Sequence, residues 1–299
     1  MIRELKTLIT VAREGTFAAA GNKIGLTQAA VSAQMQRLEA ELGLALFERK
    51  GRNARLNETG HQVLQQAQEL IRLYNNLGTP SSSAQTSVLV NIGAIASIQR
   101  SLLPDALAMF HKQHKGCHTR VIPGLSMELV ELVDMGEIDM AVIIRPSFSL
   151  HSDLHWTTLA HEPFRLIVPH DVSGNAWVEL LTTHPFIRYD CTSFGGRQVD
   201  RFLRKMHFTL QQACEVDELE AIVRLVANGV GVALVPQTAT QQHWPPSVRA
   251  IDLGQHTFYR DVGLVHRASH NLSEPAKAMA QLISSLAQST SISPQDIAE

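Results

Sequence analysis

The chain has 299 residues, 44% of them hydrophobic and 18% charged, which suits two or three globular domains and excludes a disordered protein. It contains no run of 18 uncharged apolar residues, and its start, MIRELKTLITVAREG, mixes charges into the apolar pattern. We therefore expect no membrane span and no secretory signal, and the cytoplasm is the expected compartment. The net charge of −2 is uneven, because residues 1–60 hold nine Lys or Arg against six Asp or Glu. A basic head on an acidic body favours a head that binds nucleic acid.

Three helices are predicted at the start of the chain. Apolar residues at helical spacing indicate a first helix that ends at Gly15, followed by helices over residues 17–24 and about 28–42. Thr16 and Thr27 directly precede the last two and are candidate N-caps. The third helix has one apolar stripe, and its opposite face carries small or amide side chains, which can approach base edges. This pattern is typical of a helix-turn-helix that reads the major groove.

A short basic hairpin is predicted next, over residues 47–56. Four cationic side chains in it are candidates for phosphate contacts: Arg49, Lys50, Arg52 and Arg55. Such contacts position a protein on DNA without reading its sequence. The alternative for a basic run of this kind is a solvated loop. Its place, about ten residues after a candidate recognition helix, favours the wing of a winged helix-turn-helix.

The helix after the wing carries a seam suited to pairing with a second chain. Its apolar residues are spaced four and three apart: Val63, Ala67, Leu70, Tyr74 and Leu77. The alternative is that the seam packs on the protein's own body. Because the helix leads into a Ser- and Thr-rich linker with little neighbouring chain to cover it, we expect dimerisation.

Beyond the linker, short β-rich runs alternate with helical patterns. The predicted strands cover residues 88–92, 120–122, 140–144, 164–168, 186–189, 232–235 and 262–265. The predicted helices cover residues 102–114, 127–135, 195–206, 218–227 and about 274–287. This alternation implies βαβ units and a mostly parallel sheet.

The residues of both parts resemble the LysR-type transcriptional regulator family. In the head the resemblance is carried by VAREGTFAAA (residues 11–20), LTQAAVSAQMQRLE (26–39), LGLALFER (42–49) and LNETG (56–60). In the body it is carried by LVDMGEIDMAV (132–142) and VRLVANGVGVALVP (223–236). The resemblance implies an N-terminal all-α winged helix-turn-helix domain and an α/β effector-binding region of two subdomains, like the periplasmic binding proteins.

The same resemblance implies a domain organisation and a function. Residues 1–58 would bind DNA, 59–78 would form the linker and dimerisation helix, and 79–87 a flexible linker. Residues 88–160 with 267–299 would form the first effector subdomain, and 161–266 the second. The protein would be a regulator and not an enzyme. It would bind a pseudo-palindromic operator in double-stranded DNA as a homodimer or homotetramer, respond to a small-molecule effector and engage RNA polymerase.

The family's DNA-contacting positions on the third helix fall on six residues, and the outer face adds Gln36. The six are Thr27, Gln28, Ala29, Ser32, Ala33 and Arg37. Many members have proline where this chain has Ala29, and often arginine where it has Ala33. An arginine that grips a guanine is worth ~1–3 kcal/mol of discrimination, so the operator sequence does not carry over from the family.

In open α/β sheets a ligand lies beyond the carboxyl ends of strands, near helix N-termini, and the family's effector contacts usually come from these segments. The residues that fall there are Ala96, Ser97, Ile98, Ser126, Met127, Arg145, Tyr189, Thr192 and Ser193. Arg145 is the one formally charged residue among them, and facing the cleft it would favour a carboxylate or other anion. Alternatively it pairs with an acid of the other subdomain or lies outside, and the serine residues act only as helix caps.

Histidine and cysteine residues leave a sensor of metal or redox state as an alternative. Four metal-capable residues lie close in sequence: His111, His114, Cys117 and His118. Gly116 should end the helix between them, so their ligand atoms would diverge and no metal is expected. Cys191 and Cys214 suggest a thiol sensor, but the residues next to Cys191 offer no cation to lower its pKa, which favours buried structural cysteines.

Two other function classes have little support. A solute-binding protein without a DNA role would need an export signal, and none is evident. An enzyme is not indicated either, because the chain has no Gly-rich phosphate loop, nucleophile elbow or HExxH motif. We expect no cofactor besides the effector.

Overall fold

The computed structural model of the protein describes residues 1–48, 54–75, 88–238, 244–268 and 272–290. The chain divides into two compact units: Met1–Thr86 with Glu131–Ile138, and Ser87–Val130 with Asp139–Glu299. Each unit has a hydrophobic core of its own. Within the described ranges, no helix is both long enough and apolar enough to cross a membrane.

Helices dominate the first unit: α1 (Ile2–Glu14), α2 (Phe17–Ile24), α3 (Gln28–Leu42) and α4 (Glu58–Asn75). Thr16 and Thr27 are the N-caps of α2 and α3, and the Oγ1 atom of each accepts a hydrogen bond from the backbone N–H three residues on. Gly15 and Gly25 end α1 and α2 with φ of 71° and 68°, a left-handed conformation that favours glycine. The predicted caps and ends are therefore confirmed.

The core of the first unit joins these helices to the arms of the predicted wing. α1 packs against α2, α3 and α4. In the predicted apolar stripe of α3, Val31, Met35 and Leu38 are buried and Leu42 is half-buried. Thr7 of α1 and Gln34 of α3 are also buried, and the Thr7 hydroxyl donates to Gln34 Oε1 across 2.6 Å. Phe47 and Leu56 form an antiparallel bridge, which is the base of the predicted hairpin. Arg49, Lys50 and Arg52 lie outside the described residues.

The second unit is built on a sheet whose strands follow the order β2-β1-β3-β9-β4-β7, with β8 also paired to β4 and a separate pair β5-β6. The strands are β1 (Leu89–Ala94), β2 (His118–Pro123), β3 (Met140–Ile144), β4 (Leu154–Pro169), β5 (Phe186–Tyr189), β6 (Gln212–Val216), β7 (Ala233–Pro236), β8 (Val248–Ile251) and β9 (Tyr259–Arg267).

The prediction of a mostly parallel sheet is wrong for the strands in the middle of this unit. β1 is parallel to β2 and β3, and β5 is parallel to β6. β4 and β9, however, run antiparallel to each other, and also to β3, β7 and β8 where they pair with them. Residues about 100 positions apart make the β4–β9 pairing, so no local turn signals its direction. Long antiparallel strands added to a parallel sheet are common in mixed α/β folds.

Helices flank the sheet: α5 (Ala96–Gln99), α6 (Leu102–Gln113), α7 (Ser126–Asp134), α8 (Trp177–Thr183), α9 (Phe194–Lys205), α10 (Leu219–Ala227) and α11 (Glu274–Thr290). α11 packs against α6. One buried cluster spans residues 164–253, inside the predicted second subdomain.

Candidate functional site

The outer face of α3 is open to solvent where DNA contact is predicted. Ser32 is half-buried, and the other predicted residues of this face are exposed: Thr27, Gln28, Ala29, Ala33, Gln36 and Arg37. Arg37 lies 3.8 Å from Glu4, so its guanidinium has a partner on α1. Arg55, in the described arm of the wing, is exposed as well. The head therefore presents amides, a hydroxyl and methyl groups on one face of a helix whose start is capped.

The predicted dimer seam on α4 needs correction. Val63 and Ala67 are 8% and 2% exposed and belong to the core of the first unit, where α4 packs on α1. They therefore pack on the protein's own body, which is the alternative to pairing with a second chain. Leu70 and Tyr74 do lie outside this core, at 42% and 48% exposure. Leu73, not part of the prediction, is exposed beside them, and Leu77 lies outside the described residues.

A cavity of about 290 Å³ lies in the second unit. It opens between the ends of β1, β3 and β5 and the starts of α7, α9 and α10. Its lining consists of Ile95, Ala96, Ser97, Gln99, Pro123, Gly124, Leu125, Ser126, Glu128, Ile144, Tyr189, Ser193, Phe194, Asp217, Glu218 and Leu219. Strand ends and helix starts are where ligands bind in α/β folds. The structure thus brings together five of the nine predicted effector residues: Ala96, Ser97, Ser126, Tyr189 and Ser193.

The other four predicted effector residues are not part of the cavity lining. Ile98 is 6% exposed in the core, since it lies on the opposite side of α5 from Ala96. Met127 is 38% exposed, one position past the residue of α7 that faces the cavity. The Thr192 hydroxyl donates to Asp190 across 2.6 Å, in a turn ahead of α9. Their neighbours in sequence, Ser97, Ser126 and Ser193, occupy the lining positions instead.

Arg145 pairs with an acidic residue, which is one of the alternatives to a position facing the cleft. Its guanidinium is 3.9 Å from Asp261 and 5.7 Å from the ring centroid of Trp156, and the side chain is 56% exposed. The backbone N–H of Arg145 also bonds the carbonyl of Asp261, which holds the residue against β9. The cation proposed from the sequence to favour an anionic effector therefore does not face the cavity.

A buried ion pair that was not predicted from the sequence lies directly behind the lining of the cavity. Nε of Arg260 donates to Glu162 across 2.6 Å, and the two residues are 1% and 5% exposed. Nη2 of Arg260 lies 3.4 Å from Ser97 Oγ, and the guanidinium lies close to the phenol of Tyr189. Burial lowers the pKa of Arg260, but Glu162 and Tyr189 more than offset this and raise it.

Two serine hydroxyls of the lining accept hydrogen bonds from behind. Ser126 Oγ accepts from the backbone N–H of Ile144 across 3.1 Å, and Ser97 Oγ accepts from Arg260. Ser193 differs, because its Oγ donates to the carbonyl of Asp190 and accepts from Gly196 N–H. Burial raises the pKa of the Tyr189 phenol, so it stays protonated at neutral pH.

Acidic side chains stand at the mouth of the cavity. Glu128 and Asp217 are exposed, and Glu218 is half-buried and bonded to Arg100 across 2.8 Å. Partial desolvation of its carboxyl group raises the pKa of Asp217, and the carboxylates of Asp190 and Glu218 raise it further. None of these acids was predicted to contribute to the site.

The histidine and cysteine residues considered for metal or redox sensing have separate surroundings in the described part of the chain. His111 bonds Thr119 and His114 stacks on Phe110 at 4.7 Å, so the two rings have different partners. Cys191 and Cys214 are free and partly buried rather than fully buried. The expectation that no cation lies near Cys191 is wrong, because Arg188 reaches its Sγ across 3.7 Å. Burial still raises the pKa of Cys191, and Arg188 offsets only part of this.

Two protein-family models match this chain. The model for the LysR substrate binding domain matches residues 83–288, and that for the bacterial regulatory helix-turn-helix protein, lysR family, matches residues 2–61. The chain therefore belongs to the LysR family of transcriptional regulators. It is a DNA-binding regulator with an effector-binding region, and the interpretation as a solute-binding protein without a DNA role is wrong.

Individual relatives agree with this assignment. The uncharacterized HTH-type transcriptional regulator YusT of Bacillus subtilis strain 168 is 31% identical over 243 residues, which cover 80% of this chain and 80% of YusT. The RuBisCO operon transcriptional regulator of Allochromatium vinosum is 25% identical over 291 residues, which cover 94% of this chain and 95% of that regulator. Full-length CbnR in complex with its target DNA is 21% identical, with a TM-score of 0.52 over 97% of this chain and 100% of CbnR. These similarities confirm the predicted fold class.

Proposed function

We propose that the cavity of the second unit binds a small-molecule effector that changes the affinity of the protein for its operator. The observation that carries this proposal is the cavity itself, since strand ends, helix starts and two serine hydroxyls converge on it. An effector controls DNA binding only through its different affinity for the two arrangements of the protein. The cavity would therefore be more complementary to the effector in one of them.

We also propose that α3 reads the operator through Gln28 and Ser32, supported by exposed side chains around them and by Arg55 on the wing. A homodimer or homotetramer would present two such helices to a pseudo-palindromic site and engage RNA polymerase. Such a regulator binds chromosomal DNA, so we expect the protein to act in the cytoplasm.

A fluorescence anisotropy titration tests the DNA part of the proposal. DNA from upstream of the protein's own gene is titrated with wild type, Gln28→Ala and Ser32→Ala, at fixed salt concentration. Losing one base contact of ~1–3 kcal/mol weakens specific binding about 5- to 150-fold. Gln62→Ala, an exposed glutamine of α4, is the matched control and should bind as wild type does. Equal binding by all four proteins would contradict the role of α3.

The effector part is tested on the same complex. Small carboxylates, amines and amino acids are added at millimolar concentration to the wild-type protein on its operator, and the dissociation constant is measured for each. At least one compound should change it, and Ser126→Ala should blunt the response. If compounds that bind the cavity leave operator affinity unchanged, the cavity does not control DNA binding.

A further inference from the structure

We propose that the effector is a small amino-carboxylate, with its carboxylate at the floor of the cavity and its ammonium group at the mouth. This inference rests on the proposed function, because it names the ligand class of the same cavity. Two opposite features of the lining carry it: hydroxyl hydrogens without acceptors at the floor, and an excess of carboxylates at the mouth.

The floor offers hydrogen-bond donors. Ser126 is 4% exposed, and its Oγ accepts from the backbone N–H of Ile144. A hydroxyl carries one hydrogen, and among the described residues nothing accepts the hydrogen of Ser126. Ser97 is in the same situation, since its Oγ accepts from Arg260. The hydroxyl groups of Ser97 and Ser126 can therefore each donate a hydrogen bond to a ligand in the cavity.

The acceptor that best fits this floor is a single carboxylate. α7 and α9 begin at the cavity, and the partial positive charge at a helix N-terminus adds to the attraction of the hydroxyl groups for an anion. The full charge of Arg260 does not add to it, because Glu162 neutralises the guanidinium at 2.6 Å. A floor of donors without net charge suits a monoanion and not a doubly charged phosphate.

The mouth selects for a cation on the same ligand. Glu128, Asp217 and Glu218 line it, and the cation beside them, Arg100, is shared between Glu218 and Glu220. Among the described residues, nothing donates a hydrogen bond to the side chain of Asp217. A dicarboxylate would place its second negative charge among these acids, whereas an ammonium group would relieve their mutual repulsion. The cavity of about 290 Å³ is at the small end for ligand sites, which suits a molecule of amino-acid size.

The experiment is a thermal-shift screen of the full-length protein at pH 7, followed by calorimetric titration of the compounds that bind. The probes are the twenty standard L-amino acids, the matched acids that lack the α-amino group, and the matched amines that lack the carboxylate. We expect at least one amino acid to raise the Tm in a concentration-dependent way, and its two truncated analogues to bind at least tenfold more weakly.

Variants of the lining test which residues contact the ammonium group of the ligand and which contact its carboxylate. Asp217→Asn should weaken binding of that amino acid at least tenfold and leave binding of its deaminated analogue unchanged. Ser126→Ala should weaken both about fivefold or more. Glu220→Gln is the control, because Glu220 bonds the same arginine but is not in the cavity lining. Asp217 is exposed, so its variant should fold, and the Tm without ligand verifies this.

Three results would overturn the inference: no amino acid binds, the deaminated acid binds as tightly as the amino acid, or Asp217→Asn binds it unchanged. Operator binding in the same samples separates this outcome from failure of the proposed function. A deaminated acid that binds and alters operator affinity leaves the proposed function standing. An amino acid that binds without altering operator affinity supports the ligand class and contradicts the control of DNA binding.

Discussion

Arg260 and Glu162 face each other across the pairing of β9 with β4, and the Nε–Oε2 distance between them is 2.6 Å. The guanidinium also reaches Ser97, which follows β1, and Tyr189, which ends β5. One buried side chain on β9 thereby connects cavity-lining residues from two separate segments of the effector-binding region. The pair is thus a structural support of the cavity floor.

Arg260→Met should be strongly destabilising. It leaves the carboxylate of Glu162 buried without its partner, and breaking a buried ion pair from one side costs about 3–5 kcal/mol. Urea denaturation followed by circular dichroism gives the change in the free energy of unfolding. The double variant Arg260→Met/Glu162→Leu should recover most of the loss, since it leaves no uncompensated charge. A single variant as stable as wild type would show that the pair contributes little.

Thr7→Val should weaken the head by about 1–3 kcal/mol. The substitution keeps the shape of the side chain but removes the donor that bonds Gln34 Oε1 across 2.6 Å, and it leaves this buried oxygen without that donor. Denaturation of the full-length protein, monitored by the helical signal, measures the effect. Thr7→Val/Gln34→Leu should be closer to wild type, because both polar groups are then gone. Additive losses in the double variant would contradict this account.

The head was more predictable from sequence than the cavity, for a physical reason. Helix caps are local, so Thr16, Thr27 and Gly15 could be assigned from their immediate neighbours, and the structure confirms them. Cavity residues are brought together by pairings that are distant in sequence. Arg260 is an example, because its partner is 98 positions away and nothing near it signals burial.

Within the cavity, strand ends and helix starts predicted the correct segments but not always the correct side chain. Ser97 and Ser126 line the cavity, whereas the adjacent residues Ile98 and Met127 do not, since neighbouring positions on a helix point in different directions. The acids of the mouth were missed because Asp217 and Glu218 follow β6, a short polar strand without an apolar run to mark it.

Leu70→Glu should shift the protein towards the monomer and leave its fold intact. Leu70, Leu73 and Tyr74 form an exposed apolar patch on α4, and a charge placed there would be buried without a partner on pairing. Light scattering across a concentration series measures the mass, and circular dichroism verifies the helices. Gln65→Glu, at an exposed position on a different face of the same helix, is the control. An unchanged mass for Leu70→Glu would place the dimer contacts elsewhere.

Gly196→Ala should disrupt the start of α9. A Cβ atom there would lie 1.9 Å from the backbone oxygen of Asp190, and backbone cannot move aside as a flexible side chain can. We expect a loss of several kcal/mol, as for overpacked core sites, and loss of effector binding. Gly229→Ala is the matched control, because its Cβ would meet open space and only the φ of 74° is unfavourable, at ~1 kcal/mol. Thermal unfolding compares the two, and equal losses would contradict the clash.

Asp217→Asn should raise the Tm of the unliganded protein at pH 7, by an amount that disappears as the pH falls. Partial desolvation of its carboxyl group and the carboxylates of Asp190 and Glu218 raise the pKa of Asp217 above its ordinary value of 3.8. The folded state therefore holds this proton more tightly than the unfolded state does. Wild type therefore loses stability as the pH rises from 3.8 through the raised pKa, and asparagine, which does not ionise, avoids that loss.

The measurement is thermal unfolding of both proteins between pH 4 and pH 8 at low ionic strength, where screening is weakest. The difference in Tm should be positive at neutral pH, approach zero towards pH 4 and shrink in high salt. Asp105→Asn, an exposed acid on α6, reports the effect of removing a carboxylate elsewhere. A difference that is negative at pH 7, or constant across the range, would mean that Asp217 is not repelled by its neighbours. The acids at the mouth of the cavity would then have no repulsion for a ligand cation to relieve.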